Sequence, residues 1–178
     1  MDALDRVLAA LPEAAKDIRL NLPAVLQSAV LTPAQAWGVA AAAALATRAP
    51  ELVAAVVADA ERAAGAAVVE DAVAAASLMA MNNVFYRFRH LVGRPEYEQK
   101  PPRLRMQRLQ KPATSATDFE LMALAVSALN GCAACVQAHE RVVTKGGLSE
   151  DHVVDAIRIA AVVNAAATAL ASTRPAVA

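Results

Sequence analysis

Asp118-Phe119-Glu120-Leu121-Met122-Ala123-Leu124-Ala125-Val126-Ser127-Ala128-Leu129-Asn130-Gly131-Cys132-Ala133-Ala134-Cys135-Val136-Gln137-Ala138-His139-Glu140 reads as two helices joined at a glycine. The run to Leu129 is apolar at most positions, as a buried helix requires. Gly131 ends it, and the cysteines open the next helix. Both cysteines of the chain are here, at i and i+3. On one helix that spacing lets two thiols close a disulfide with little backbone movement. A position at a helix start favours the thiolate. His139 lies one turn beyond Cys135 and two beyond Cys132, on the same face. The stretch predicts helical packing around a redox dithiol with a base beside it.

The rest of the chain agrees with an all-α fold. Hydrophobic residues make up 57% of the 178 and aromatics only 3%. Much of the apolar content is alanine, which favours helices packed closely through small side chains. Strand-like runs of β-branched and aromatic residues are missing. Lys+Arg and Asp+Glu are both 17, so the net charge is zero. That argues against a nucleic-acid binder or a polybasic membrane protein. Mean hydropathy is +0.37, yet the unbroken apolar stretches around Trp37–Ala46 and Ile159–Ala171 are short of a membrane span. The acidic start, Met1-Asp2-Ala3-Leu4-Asp5-Arg6, has no apolar signal core. A cytoplasmic protein is expected, and in a reducing compartment a CxxC is more often catalytic or metal-binding than a staple.

Along the chain, Asp2–Leu20 reads as an amphipathic helix ended or kinked by Pro12. Leu22-Pro23 starts a short piece. Thr32-Pro33 reads as an N-cap with proline at the first helical position. That helix runs to Thr47-Arg48, another from Pro50 to about Gly65, and a long one over Ala66–Phe88. Leu91–Thr117 is irregular and carries Arg94, Lys100, Arg103, Arg105, Arg108 and Lys111. It reads as a solvated connection or a docking surface for an acidic partner. Helices follow over Asp118–Asn130 and from Cys132 to about Lys145. The last opens at Ser149-Glu150-Asp151-His152 and runs to Ala171, before a loose tail, 174–178. The chain reads as one domain, 1–178, with an approximate internal repeat over 22–90 and 112–172 and the active site in the second half. Gln35 precedes Thr47 as Glu120 precedes Cys132, and Glu70-Asp71 opens a helix as Glu150-Asp151 does.

If the helix of Glu120 packs against the cysteine helix, its carboxylate can reach His139, fix the tautomer and raise the basicity of the imidazole. The imidazole can then take a proton from a thiol. Other readings stand beside this one. The cysteines could be two buried apolar residues. Cys132, Cys135, His139 and His152 could together hold zinc, although a second paired cluster is missing. Glu120 could be a surface glutamate and His139 a solvated helix residue. Trp37, Met79, Met81 and Phe85 read as core. Asn82-Asn83 inside an apolar helix needs partners, and so would cross-link helices or line a pocket.

The quoted stretch resembles the alkylhydroperoxidase D family of the larger carboxymuconolactone decarboxylase-like group. Leu11-Pro12-Glu13, Ala15-Lys16-Asp17-Ile18, Leu20-Asn21-Leu22, Gln35-Ala36-Trp37-Gly38 and Met79-Ala80-Met81-Asn82-Asn83-Val84-Phe85-Tyr86-Arg87 are also similar to family signatures, so the likeness covers nearly the whole chain. It implies a helical fold with two related halves, a homotrimer, and an antioxidant thiol peroxidase that reduces alkyl hydroperoxides. It also implies regeneration of a partner peroxiredoxin of the alkylhydroperoxidase C type. Dihydrolipoamide is the implied reductant, its lipoyl group carried on a 2-oxo acid dehydrogenase component. No flavin, haem or metal is expected.

By the same resemblance, Cys135 becomes the sulfenic acid. Cys132 is proton donor and then resolving thiol. His139 is the base, and Glu120 orients it. Helix-start logic alone leaves the attacking thiol open, because Cys132 is closer to the dipole end and Cys135 closer to His139. One departure is Ala134, where well-known members have a histidine, so any tuning by that residue is missing. Two alternatives are a dithiol reductase or adaptor without intrinsic peroxidase activity, and a decarboxylase-like enzyme acting on a small organic acid.

Overall fold

The computed structural model describes residues 1–173, and the expected loose tail lies outside them. Among the described residues the regular structure is helical: α1 Asp2–Ala9, α2 Lys16–Leu26, α3 Pro33–Thr47, α4 Pro50–Ala64, α5 Ala66–Val92, α6 Pro95–Glu98, α7 Ala116–Leu129, α8 Ala133–Lys145 and α9 Glu150–Ala171. Two short 3-10 turns, Glu13–Ala15 and Gln107–Gln110, lie between.

The centre is α3 against α7. Helix α3 also touches α4, α5 and α9, and α7 also touches α5, α8 and α9. Both are buried on every side along their middles: Ala36 to Ala44 of α3 and Leu121 to Ser127 of α7 are withdrawn from solvent. A helix apolar all round is satisfied only inside such a ring. Gly38 lets the two approach, because a Cβ there would collide with the end of Met122. Thr32 caps the start of α3 as expected, Gln35 returns a bond to make the cap reciprocal, and the Gln35 amide reaches across to Asp118 Oδ1 at 2.8 Å. The starts of the two central helices are thereby tied together.

In the N-terminal region the helix read over Asp2–Leu20 is broken before Pro12 rather than kinked. Helix α1 stops at Ala9, and Pro12 takes up extended backbone at φ −65°, ψ 157°. The next helix instead runs through Pro23, which removes one intrahelical hydrogen bond. Leu22 and Leu26 in the core hold it in place. Helix α5 continues past Phe88 to Val92, ending at Gly93 with φ 62°. The connection after it is less irregular than its prolines suggest, since it contains α6 and a 3-10 turn.

Helix α9 is long and apolar enough to cross a membrane by length and composition, although the unbroken apolar run read within it is shorter. It has 22 residues with a mean hydropathy of 1.7 over its most apolar window. Counting unbroken apolar runs missed it because single polar residues interrupt an alanine-rich helix. Its stripe of Ala156, Ile159, Ala160, Val163, Ala166 and Leu170 is buried, and the helix packs against α2, α3 and α7.

Candidate active site

The turn between α7 and α8 is built by its glycine. Gly131 has φ 64°, a conformation that costs an L side chain about 1 kcal/mol or more. It allows the Gly131 amide to donate to Ala128 O and the Cys132 amide to Ser127 O, both at 3.1 Å. This doubly bonded ending satisfies carbonyls that a helix C-terminus otherwise leaves open. Cys132 then occupies the N-cap of α8, and Cys135 stands three residues into it. The two are joined by a disulfide, with Cα atoms 5.3 Å apart. Cys132 is fully buried and Cys135 nearly so.

Helix α7 packs along α8, and Glu120 Oε2 lies 2.5 Å from Nδ1 of His139. Both side chains are mostly withdrawn from water, at 17% and 13% exposure. A short contact in such surroundings is stronger than its surface counterpart. The carboxylate orients the ring, and the opposite nitrogen, Nε2, lies 3.2 Å from Met79 Sδ on α5.

Three residues of α5 at four-residue spacing face this region. Met79 meets the imidazole. Asn83 donates to Ser127 Oγ at 3.0 Å and to Met79 Sδ at 3.8 Å, and its oxygen accepts from Asn130 Nδ2 at 2.9 Å. Arg87 donates to the backbone carbonyl of Asn130. Asn83 is 1% exposed, and both its donor hydrogens and its acceptor are used. The cross-linking role expected of the paired asparagines belongs to Asn83; Asn82 Oδ1 is buried without a partner among the described residues. Beside the turn opens a cleft of about 330 Å³, whose walls include Arg48, Ser77, Asn83, Arg87 and Asn130.

Two further acids lock the scaffold. Asp71, buried on α5, accepts from the amides of Ala113 and Thr114, the Thr114 hydroxyl and Arg108. Burial would raise its pKa, but the Ala113 amide, the two Thr114 donors and Arg108 outweigh it and hold the carboxyl below its usual range. The lock fixes the residues just before Ser115, whose hydroxyl caps α7 by accepting from the Asp118 amide at 3.0 Å. Asp155 is also lowered, first by the Ser28 hydroxyl at 2.6 Å and, against the opposing effect of burial, by Arg158.

The structure thus brings Cys132, Cys135, His139 and Glu120 together. His152 is elsewhere, at the start of α9, where its Nδ1 lies 2.8 Å from Ser149 Oγ in a cap. It does not join the cysteines in a four-ligand set. Arg108 is not part of a free basic surface, because it pairs with Glu70 and Asp71. Met79, read as core from its spacing, is core and a neighbour of the site at once. Only the polar pair three residues after it hinted that this face of α5 meets polar groups.

Residues 95–178 match the model of the carboxymuconolactone decarboxylase family. The chain is 65% identical to the alkyl hydroperoxide reductase AhpD of Anaeromyxobacter dehalogenans (strain 2CP-C) over 170 residues, 96% of this chain and 91% of the relative. It is 47% identical to the AhpD of Solibacter usitatus, over 94% of each chain. It is 42% identical to that of Brucella canis, over 94% of this chain and 96% of the relative. With relatives this similar over nearly their whole length, the chain belongs to the alkyl hydroperoxide reductase AhpD family, within the carboxymuconolactone decarboxylase-like superfamily.

Proposed function

We propose that this protein is an antioxidant thiol peroxidase that reduces alkyl hydroperoxides through a Cys132/Cys135 dithiol–disulfide cycle. The observation that carries this is a closed CxxC disulfide one turn from an imidazole oriented by a half-buried carboxylate. In the reduced protein, Glu120 holds His139 by Nδ1 and Nε2 takes the proton of Cys135. The thiolate attacks the peroxide oxygen and the O–O bond breaks. The alcohol leaves with a proton, and Cys135 is left as the sulfenic acid. Cys132 attacks it, water departs, and the disulfide forms. Dihydrolipoamide reopens it by thiol–disulfide exchange, becoming the cyclic disulfide. The same dithiol can pass electrons to a peroxiredoxin partner, with a lipoylated 2-oxo acid dehydrogenase component as the source. A homotrimer of chains with two related halves, working in the cytoplasm, completes the proposal.

The test is the intact mass of the reduced protein before and after one equivalent of an organic hydroperoxide, and again after dihydrolipoamide. Loss of two hydrogens, mapped to a Cys132–Cys135 bridge and reversed by dihydrolipoamide, is the expected result. Cys135→Ser abolishes turnover, and unchanged peroxidase activity in that variant refutes the proposal.

A further inference from the structure

In the disulfide state His139 does not end on a sulfur of the cysteine pair. Its Nε2 lies 3.2 Å from the thioether of Met79, a side chain 1% exposed. Its Nδ1 lies against the Glu120 carboxylate. Both ring nitrogens therefore face acceptors. A neutral ring that gives its one hydrogen to Glu120 points a lone pair at the lone pairs of sulfur. A hydrogen on Nε2, together with one held between Nδ1 and the Glu120 carboxylate, satisfies both contacts. The sulfur is built in as an acceptor, because Asn83 Nδ2 also donates to it at 3.8 Å. A thioether is a weak acceptor, so it can hold a proton-bearing nitrogen and release it cheaply.

The groups facing the ring are few. From α7 it meets Glu120, and from α5 the uncharged Met79. Asp118, also on α7, is engaged by Gln35. Glu140 and Arg141 follow His139 directly on α8 and point off its face.

We propose that Met79 is a positioning residue of the redox site, whose thioether accepts a hydrogen bond from protonated His139 in the disulfide state. His139 thereby stores the proton that Cys135 needs when the disulfide is opened. The inference rests on the dithiol cycle proposed above. A thiolate of the reducing dithiol attacks Cys132 Sγ, forming a mixed disulfide and breaking the Cys132–Cys135 bond. The electron pair leaves on Cys135, which takes the hydrogen of His139 Nε2, and the ring becomes neutral. The second thiol of the reagent then ionises to solvent and displaces Cys132, which takes up a proton. The neutral Nε2 is now the base that the next peroxide requires. Over the cycle one proton is bound on oxidation and released on reduction, so the charge of His139 alternates with the redox state of the cysteines.

The first measurement is the protonation of both His139 ring nitrogens by ¹⁵N NMR of the full-length wild-type protein near neutral pH. Hydrogen on both in the disulfide form, and on Nδ1 alone after reduction with dithiothreitol, is expected. An Nε2 without hydrogen in the disulfide form overturns the proposal. The second uses Met79→Leu, which keeps the volume and removes the acceptor. Opening of its disulfide by dithiothreitol slows about threefold to fivefold, the scale of one weak charge-assisted hydrogen bond, and in Met79→Gln, whose amide oxygen restores an acceptor, it recovers toward the wild-type rate. Equal slowing in both variants means packing damage alone and also overturns the proposal. Dithiothreitol opens the disulfide whatever oxidant closed it, so failure of the peroxidase reading leaves both measurements valid.

Discussion

Asp71→Asn tests how the scaffold holds the site. In the folded protein the Asp71 carboxylate is fully buried and accepts four hydrogen bonds at 2.7 to 3.0 Å. Asparagine keeps one oxygen and places an NH2 where the other accepted from Thr114. The Thr114 amide then faces a donor in a site closed to water, and Arg108 loses its buried partner and keeps only the exposed Glu70. Breaking such a buried charged network costs about 3–5 kcal/mol. Against a total stability of roughly 5–15 kcal/mol, that is a large fraction, lowering Tm by about 10 °C in a chain of this size. The effect has a pH signature. The carboxyl is lowered in the folded state from its usual 3.8. Its contribution is therefore fully present above about pH 4 and is lost as pH falls through the lower folded value. The gap in urea-unfolding free energy between wild type and variant is constant near neutrality and narrows on acidification below about pH 4. A loss under about 1 kcal/mol at neutral pH, or a gap that widens on acidification, refutes the reasoning.

Glu120→Gln removes the charge that orients and supports His139 while keeping its shape. Peroxide-driven disulfide formation should slow by roughly 10²-fold, within the range for general base catalysis, as stopped-flow can check. Asn83→Leu leaves the Ser127 hydroxyl and the Asn130 amide without their buried partner. It should cost about 2–3 kcal/mol in urea unfolding, and hydrogen exchange at Gly131 and Cys132 should quicken as the turn loosens.

The helices were readable because their signals are local. Thr32-Pro33 with Gln35, Gly131 after an apolar run, and the Ser149 start each specify a helix end through bonds that reach no farther than a few residues. The misreadings are places where distant packing overrode a local preference. Pro23 stays helical because Leu22 and Leu26 are anchored in the core. The site was legible to the extent that it lies on one helix. Cys132, Cys135 and His139 share a face by spacing alone. Glu120 could be placed beside them only on the condition that α7 folds back along α8, and that packing is found.

The amino-acid order by itself determined the helical class, the pairing distance of the thiols and the face on which His139 stands. These follow from the 3.6-residue period and from short-range capping bonds. What the tertiary structure alone decided is the other side of the imidazole. Met79 is separated from His139 by 60 residues, and on its own helix it is indistinguishable from any buried apolar residue. Asp71 meets Ala113 and Thr114 across more than 40 residues, and no local period announces a carboxylate waiting for a loop. Such contacts are settled when α5 is laid against α7 and α8, because burial demands that each polar atom find a partner among whatever the packing brings near.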